Sequence, residues 1–394
     1  MKKYVLMIMV ILLAMSGMNV TVFAEENNSE ETEDSLDLAS DAKSAILIER
    51  DTGKVLYDKN ASEQLPPASM TKIMTLLLIM EEIEKGNLKK DEMVRISENA
   101  ASMGGSQIFL EAGEEMSVND LLKGIAIASG NDASVALAER IAGSEEAFVD
   151  RMNDKVKELQ LKDTQFRNVS GLPADDHYST AHDMAVIAKE LLKFESITQY
   201  TSIYEDYLRK GKENEFWLVN TNKLVRFYPG VDGLKTGFTN EAKYCLTATA
   251  KKNDMRVIAV AMGVDSPKKR NATISNMLDY AFNHYETKKL FEKGEVISTK
   301  DLLKSEQKTI DIVASQSIST IFQKGESVDN ITTSVDLQDE IEAPLQKGEQ
   351  VGKLIVKNDG KTLSETPLIV GDDVDKASFM TLFKRSLQHL SKFE

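Results

Sequence analysis

The chain has 394 residues, and its 48 Lys and Arg against 63 Asp and Glu give a formal net charge of −15. A hydrophobic content of 42% fits a folded protein of two or three domains and argues against extended disorder. The acidic balance disfavours a nucleic-acid partner, because phosphate binding needs clustered Lys and Arg. The single cysteine, Cys245, excludes an intramolecular disulfide, and no HExxH zinc pair is present. We therefore expect no metal and no other cofactor.

Residues 1–24 have the features of a secretory signal peptide. Lys2 and Lys3 precede an apolar run from Val5 to Met15, and the segment closes on Ala24. The run is shorter than the ~20 residues that a membrane-spanning helix needs. An uncleaved anchor and a buried core helix are the alternatives, and cleavage after Ala24 is favoured by the polar chain that follows. An exported protein with one cysteine fits a bacterial cell surface better than a disulfide-rich scaffold.

The segment 25–40 is predicted to be an acidic linker, because residues 25–37 hold seven acidic side chains. Order is expected to begin near Ala45, where two β-rich runs flank a turn at Asp51-Thr52-Gly53 and predict a hairpin. Residues 41–288 then combine strands and helices, which predicts a sheet with a helical cluster against it. Predicted helices cover 73–83, 118–141 with a break at 129–131, 147–159, 180–192 and 272–285, and predicted strands cover 45–48, 55–57, 244–249 and 256–261.

Residues 289–373 are predicted to form a small all-β domain, from short β-rich runs at 309–313, 318–322, 331–337 and 351–356. Residues 374–394 predict an amphipathic helix. Its apolar face would hold Phe379, Met380, Leu382, Phe383, Leu387, Leu390 and Phe393, with Lys384, Arg385 and Lys392 opposite. Composition leaves two interpretations open: a helix that lies in a membrane interface, or one that packs on its own β domain.

Ser69 and Lys72 form the first candidate pair, in Ser69-Met70-Thr71-Lys72 at the start of the predicted buried helix. Ser69 alone would suit a helix N-cap. A capping box, however, has Glu or Gln three residues on, and a cation in the first turn opposes the helix dipole. Helical spacing places Lys72 on the face of Ser69, where burial and the dipole should lower the pKa of the amine. The pair predicts a serine nucleophile activated by a neutral lysine.

Ser129-Gly130-Asn131 allows two interpretations. One is a Gly that ends a helix, followed by a cap of the next helix. The other is functional: Ser129 relays a proton between Lys72 and a leaving amine, and Asn131 hydrogen-bonds the peptide group of a substrate.

Lys235-Thr236-Gly237 is expected to precede a strand, and it also allows two interpretations. One is a turn with a solvated lysine. In the other, Lys235 and Thr236 bind a carboxylate, and Gly237 leaves room for a substrate along the strand edge. A backbone N–H just after Gly237 could then form an oxyanion hole with that of Ser69.

In this order the three motifs resemble those of the penicillin-recognising serine enzymes. Within that group the chain is similar to the D-alanyl-D-alanine carboxypeptidases, the low-molecular-mass penicillin-binding proteins. The similar segments are 65–75, 129–133 and 232–239, and 342–348 resembles the family's C-terminal β domain. The implied fold is α+β: a β-lactamase/transpeptidase-like antiparallel sheet with a helical cluster, a small all-β domain and a C-terminal amphipathic helix on the membrane.

The resemblance implies that Ser69 attacks the carbonyl between the last two D-alanines of a peptidoglycan stem pentapeptide, with Lys72 as base. Lys235 and Thr236 would receive the terminal carboxylate, and the backbone N–H groups of Ser69 and Phe238 would form the oxyanion hole. D-alanine leaves, water hydrolyses the acyl-enzyme, and β-lactams such as penicillin acylate the same serine. The implied location is the outer face of the bacterial cytoplasmic membrane.

Two positions depart from the family pattern. Phe238 follows the KTG motif, where some members have His. Thr221 stands between Asn220 and Asn222, where some members have an Arg that helps to bind the carboxylate. Carboxylate binding would then depend more on Lys235, or on a group that the sequence does not identify.

Two rival functions remain at this point. A serine β-lactamase shares the three motifs, but it needs a deacylation base, typically a Glu, and residues 169–176 contain none. A non-catalytic protein that binds the wall or sequesters antibiotics is the second rival, and the intact motifs argue against it.

Overall fold

The computed structural model describes residues 36–326 and 330–390, the last five by backbone alone. The predicted signal peptide and residues 25–35 of the predicted linker lie outside the described residues. The chain divides into units of residues 1–37 and 38–394. In the second unit Ala39 and Ala42 are already buried. The expectation that order begins near Ala45 is therefore wrong by several residues.

An antiparallel sheet forms the centre of the first half of this unit. The strands of this half are Ser44–Glu49 (β1), Val55–Lys59 (β2), Met93–Arg95 (β3), Glu115–Ser117 (β4), Glu205–Leu208 (β5), Phe216–Val219 (β6), Val231–Thr239 (β7), Lys243–Lys252 (β8) and Met255–Val264 (β9). The central sheet has the order β2-β1-β9-β8-β7, and β3-β4 and β5-β6 form separate ribbons. The predicted hairpin is confirmed, since β1 pairs with β2 around residues 51–53. Strand β7 lies at the edge of the sheet.

Helices pack on this sheet as the fold class predicts. They are Lys72–Glu84 (α1), Glu98–Ala101 (α2), Val118–Ala128 (α3), Asn131–Ala142 (α4), Glu145–Glu158 (α5), Ala181–Leu191 (α6), Thr198–Thr201 (α7), Leu224–Phe227 (α8) and Pro267–His284 (α9). Every residue of α1 from Lys72 to Met80 is buried, which confirms the prediction of an enclosed helix. Helix α9 begins five residues before the predicted start, because Ser266 accepts a hydrogen bond from the N–H of Lys269 and Pro267 occupies the first turn.

A second β-rich region follows, as predicted. Its strands are Tyr285–Phe291 (β10), Val296–Asp301 (β11), Thr309–Ala314 (β12), Ile318–Gln323 (β13), Ile331–Leu337 (β14), Gln350–Asn358 (β15) and Lys361–Val370 (β16). Strands β11-β12-β16-β15-β14 form one sheet, and β10 pairs with β13. This region has its own apolar core, which includes Ile312, Leu354 and Leu368. It also contacts the first region: the Ser319 hydroxyl donates a buried 2.6 Å hydrogen bond to Asp51 Oδ2.

A helix at Phe379–Leu390 (α10) ends the described chain. Its Arg385 guanidinium donates hydrogen bonds to the backbone carbonyls of residues 303, 305 and 306, so the helix is attached to the β-rich region. Phe379, Met380 and Phe383 are nevertheless 81%, 58% and 49% exposed. The predicted face residue Phe393, and the side chains at 387 and 390, lie outside the described residues. No described helix combines the length and the apolar character needed to cross a bilayer.

Candidate active site

The serine of the first motif lies in a tight turn in front of the buried helix. Ala68–Thr71 is a 3-10 turn, and α1 starts only at Lys72, with no side-chain cap in this part of the described chain. Ser69 is therefore not an N-cap, and that interpretation of the motif is wrong. Ser69 is half-buried, so its hydroxyl can be reached from solvent.

Lys72 is fully buried beside Ser69. Its Nζ lies 2.6 Å from Asn131 Oδ1, 2.7 Å from the Ser170 carbonyl oxygen and 3.2 Å from Ser69 Oγ. Burial lowers the pKa of this amine well below its usual range, and the charge of Lys235 lowers it further. A neutral amine in hydrogen-bond contact with a hydroxyl can accept its proton. The structure thus brings together the pair that the sequence predicts.

The second motif joins α3 to α4. Ser129 ends α3 in the left-handed conformation, with φ 65°, while Gly130 is the N-cap of α4 with φ −57°. The expectation that the glycine ends the helix is thus wrong. The Ser129 Oγ is buried and has no hydrogen-bond partner in the described part of the protein. A buried hydroxyl without a partner costs free energy unless a ligand completes it.

Both the oxygen and the nitrogen of the Asn131 side-chain amide form hydrogen bonds within the protein. Its Oδ1 accepts from Lys72, and its Nδ2 donates to the Gly104 carbonyl at 2.7 Å. Asp132, which the sequence analysis did not single out, accepts hydrogen bonds from the N–H groups of Ile108 and Leu110. Together these two residues hold the segment 104–110 against the start of α4.

The third motif lies inside edge strand β7, between Val231 and Thr239, so the expectation that it precedes a strand is wrong. Lys235 is 1% exposed, which also rules out a turn with a solvated lysine. Gly237 faces the nucleophile turn: a Cβ atom here would lie 2.7 Å from the Pro67 carbonyl oxygen. Only glycine lets the strand approach that turn so closely.

Thr236 donates a 2.7 Å hydrogen bond from its Oγ1 to Oγ1 of Thr221. The residue that departs from the family pattern is thus directly at the site. Lys235 Nζ donates to the Thr236 carbonyl at 3.0 Å. Burial, followed by the charge of Arg270, lowers the pKa of Lys235 to about 7. Arg270 lies on α9, far from any motif, and no sequence signal pointed to it.

Phe238 is half-exposed and stacks on Tyr244, with ring centroids 4.4 Å apart. The two residues are opposite each other on β7 and β8, directly after the motif. Phe238 occupies the place where some family members have His, so this position offers an apolar surface and no titrating side chain.

A loop at 168–178 closes the site from the side of Lys72. Its Gly171 packs so tightly that a Cβ atom would lie 1.8 Å from the Ala68 carbonyl oxygen. His177 Nε2 lies 2.8 Å from Thr71 Oγ1, and its Nδ1 accepts from the Arg167 N–H. The backbone carbonyl of Ser170, in this loop, accepts a hydrogen bond from Lys72 Nζ. Sequence reasoning did not predict the His177 contact, because 106 residues separate its two partners.

Within the described residues, no group of three or more His, Cys, Asp or Glu could hold a metal ion. The groups that the site brings together are a serine hydroxyl, two lysines of lowered pKa and the hydroxyls of two threonines. Such a set can perform acyl transfer through a covalent serine intermediate.

Comparison with known families agrees with this chemistry. Residues 28–266 match the family described as D-alanyl-D-alanine carboxypeptidase. Residues 285–376 match the family described as penicillin-binding protein 5, C-terminal domain.

Individual relatives and solved structures agree with these family matches. The chain is 54% identical to the D-alanyl-D-alanine carboxypeptidase DacF of Bacillus subtilis over 95% of both chains. It is 35% identical to DacA of Escherichia coli over 77% of this chain and 76% of that protein. The structure of penicillin-binding protein 5 from Haemophilus influenzae matches with a TM-score of 0.66 and 32% identity, over 85% of this chain and 98% of that chain. Penicillin-binding protein D2 from Listeria monocytogenes, in its ampicillin-bound form, matches with a TM-score of 0.56 and 30% identity, over 61% of this chain and 98% of that one.

The predicted α+β fold and the predicted activity are thereby confirmed. The protein is a serine-type carboxypeptidase that hydrolyses the bond between terminal D-alanines in cell-wall peptides. The chain belongs to the D-alanyl-D-alanine carboxypeptidase family.

Proposed function

We propose that Ser69 is the nucleophile of this reaction and Lys72 its general base. The observation that carries this assignment is the buried Lys72 amine, 3.2 Å from Ser69 Oγ and with a lowered pKa. Lys72 takes the hydroxyl proton as Ser69 Oγ attacks the carbonyl between the last two D-alanines. The C–N bond breaks, Ser129 passes the proton to the leaving amine, and D-alanine departs. Water then hydrolyses the acyl-enzyme ester.

The carboxylate of the terminal D-alanine would bind at Lys235, Thr236 and Thr221. The two threonine hydroxyls already contact each other at 2.7 Å, so one of them can turn to a carboxylate oxygen. Arg270 adds a buried positive charge near Lys235, which favours an anion at this end of the site.

The backbone N–H groups of Ser69 and Phe238 are proposed to bind the developing oxyanion. Gly237 supports this arrangement because it allows β7 to approach the turn that carries Ser69. Asn131 is proposed to bind the peptide group of the substrate. It would have to exchange a present hydrogen bond, to Lys72 or to Gly104, for one to the substrate.

The test is a Ser69→Ala variant, with Ser62→Ala as control, because Ser62 is exposed on the preceding segment. We expect Ser69→Ala to lose both D-alanine release from a pentapeptide and covalent attachment of labelled penicillin, while Ser62→Ala keeps both. Continued release by Ser69→Ala would overturn the assignment. Mass spectrometry of the wild-type protein separates the rivals: rapid penicillin turnover indicates a β-lactamase, and a stable adduct without D-alanine release indicates a binder.

We further propose that the protein is exported, acts on peptidoglycan at the outer face of the cytoplasmic membrane and attaches there through α10. Three exposed apolar residues of this helix, Phe379, Met380 and Phe383, support an interfacial position. The contacts of Arg385 with the β-rich region are compatible with this, because they leave that face open.

Liposome sedimentation tests the attachment. Truncation after Asp375, or the pair Phe379→Ser and Phe383→Ser, should release the protein into the supernatant. The pair Phe109→Ser and Phe227→Ser is the control, since it removes two exposed phenylalanines elsewhere. If the truncated protein still sediments, the attachment lies in another part of the chain.

A further inference from the structure

Strand β14 forms an open edge of the sheet in the β-rich region. Among the described strands it pairs only with β15, at the end of the order β11-β12-β16-β15-β14. Its residues 332–336 are all exposed. The roles proposed above for the active site and for α10 do not use this edge. An open edge presents a row of unpaired backbone N–H and C=O groups to another strand.

Edge strands of native proteins usually have a feature that prevents pairing with a second chain, such as a bulge, a lysine or a proline. The opposite edge of the same sheet has two of them, because β11 has an irregular register between Val296 and Ser298 and contains Lys300. Strand β14 has no Lys, Arg or Pro, and its register with β15 is regular from Ile331 to Leu337. This edge is therefore open to the addition of a strand.

The register of β14 shows which of its backbone groups point outward. Gln338, directly after the strand, donates its N–H to the Val351 carbonyl and so faces β15. Residues that bond to the neighbouring strand alternate with residues that do not in an antiparallel ladder. Along the regular register the even-numbered residues of β14 therefore bond to β15, and the odd-numbered residues turn their N–H and C=O groups to the open side. The outward residues are Ile331, Thr333, Val335 and Leu337.

A second copy of β14 fits this edge in one antiparallel register, which is centred on Ser334. In this register Ser334 lies opposite Ser334 of the second copy. The outward residues form the pairs Thr333–Val335 and Ile331–Leu337 between the two copies. Each such pair exchanges two backbone hydrogen bonds, so every outward group of both strands is paired. Any other register leaves at least one outward residue of each strand without a partner.

The outward residues also carry the apolar side chains of the strand. Val335 lies opposite the buried Leu354 of β15 but is itself 40% exposed. Ile331 and Leu337 are half-buried against the apolar core of this region. When Ile331 of one copy meets Leu337 of the other, the apolar face of the sheet continues across the joint. The burial of exposed apolar surface favours this association.

The opposite face of β14 is polar and carries a single charge. Asp336 would lie opposite Thr332 of the second copy, so no two like charges face each other across the joint. Lys353 of β15 lies 3.9 Å from Asp336 and balances its charge. The strand thus matches a second copy of itself in its backbone groups, its apolar side chains and its charge.

We propose that β14 is a self-association surface, at which two copies of this chain join their β-rich sheets by antiparallel pairing across a two-fold axis. The joint is short, so the dimer is weak and forms at high protein concentration. The pairing involves no residue of the candidate active site, and each copy keeps its own site. The inference does not depend on the catalytic roles proposed above.

Disulfide trapping in the full chain tests the register. The two Ser334 residues of the dimer form a non-hydrogen-bonded pair with Cα atoms about 4.5 Å apart, which a disulfide can span. Under mild oxidation we expect Ser334→Cys to give a covalent dimer on a non-reducing gel. Thr332→Cys is the matched control, because it lies on the same exposed face, but its two copies are about 13 Å apart along the strands and should not link. The natural Cys245 is buried, so the wild-type protein should give no covalent dimer.

Sedimentation velocity of the full chain in mild detergent tests the association without a covalent link. The wild-type protein should sediment faster as its concentration rises, whereas Val335→Lys, which places a cation on the edge, should stay monomeric. Val55→Lys is the control, since Val55 is a 47% exposed valine on β2, an edge strand of the central sheet. It should associate like the wild-type protein, and both variants should still be acylated by penicillin.

Three results would each overturn the proposal. They are equal cross-linking of Ser334→Cys and Thr332→Cys, a wild-type protein that stays monomeric at all concentrations, and a Val335→Lys variant that associates like the wild-type protein. The edge would then be free or would pair with a strand from another source.

Discussion

Asn131 Oδ1 lies 2.6 Å from Lys72 Nζ, closer than Ser69 Oγ, which lies 3.2 Å from the same nitrogen. The amide therefore fixes the position of the amine, and it does so without adding charge. The neutral charge of the amide matters, because burial lowers the pKa of Lys72 and a nearby free carboxylate would raise it again. The carboxylate of Asp132 opposes the shift, but backbone N–H groups occupy its oxygens.

The first prediction is that Asn131→Asp slows acylation at neutral pH. A carboxylate at this position stabilises the ammonium form of Lys72 and raises its pKa, so less neutral base is present at pH 7. Each unit of increase costs about tenfold in the fraction of neutral base. We expect the acid limb of the pH–rate profile for penicillin acylation to move to higher pH. Asn214→Asp, on an exposed turn, is the control, and an unchanged limb in Asn131→Asp would contradict the prediction.

The second prediction concerns Thr221, which occupies the place of an arginine in some family members. Thr221→Val removes the hydroxyl that contacts Thr236, and we expect KM for the D-Ala-D-Ala peptide to rise about fivefold, the effect of one hydrogen bond of ~1 kcal/mol. Thr221→Ser should restore the wild-type KM. An unchanged KM in Thr221→Val would show that this hydroxyl does not contribute to carboxylate binding.

The third prediction separates backbone strain from a steric clash at the active site. Gly171 and Gly143 both have positive φ, 80° and 87°, but a Cβ atom at Gly143 meets nothing within 4 Å. Gly143→Ala should cost only the left-handed backbone strain of about 1–2 kcal/mol and leave penicillin acylation intact. Gly171→Ala should cost more stability and abolish acylation, because the added methyl group displaces the Ala68 backbone next to Ser69. Equal effects of the two substitutions in urea unfolding and in acylation would refute this.

The fourth prediction is a pH dependence of stability that originates at His177. Burial, and to a lesser degree the charge of Arg167, lower its pKa from 6.5 to about 4. The unfolded chain therefore takes up a proton below pH 6.5 that the folded protein does not, and the stability from the neutral ring is lost as pH falls from 6.5 to 4. The loss amounts to about 3 kcal/mol at most.

Urea unfolding at pH 7 and pH 4.5 measures this loss. His177→Gln should reduce the decrease of stability between the two pH values. His182→Gln is the control. The hydrogen bond to Asp183 raises the pKa of His182, so this residue stabilises the fold at low pH, and His182→Gln should enlarge the decrease of stability between the two pH values. The prediction fails if His177→Gln has the pH dependence of the wild-type protein.

Sequence patterns predicted the main elements and the proximity of Ser69 and Lys72, because both depend on residues that are close in the sequence. Ser69 and Lys72 are three positions apart, and their chemistry could be inferred from that spacing and from the apolar helix that follows. Helix α1 and the pair α3 and α4 were predicted for the same reason. The ribbons β3-β4 and β5-β6 and strand β16 were not predicted. The ribbon strands have only three or four residues each, and β16 contains Pro367, which weakens the strand pattern although β15 precedes it across a short turn.

The supporting residues of the site could not be inferred from local patterns. Arg270 acts on Lys235 from a helix after the sheet, and His177 reaches Thr71 across 106 residues. Asp132 lies inside a motif, but its partners at Ile108 and Leu110 come from an earlier loop. Each of these contacts depends on the tertiary structure, and none leaves a periodic signal in the sequence.

Helix α9 ends at His284 and strand β10 starts at Tyr285, so no linker separates the central sheet from the β-rich region. Asp51 and Ser319 join the two regions a second time through a buried hydrogen bond. The consequence is mechanical. In the attachment through α10 that we propose, a force on this helix would pass through two joints into the central sheet. The distance between Ser69 and the membrane would then be set by the folded protein itself.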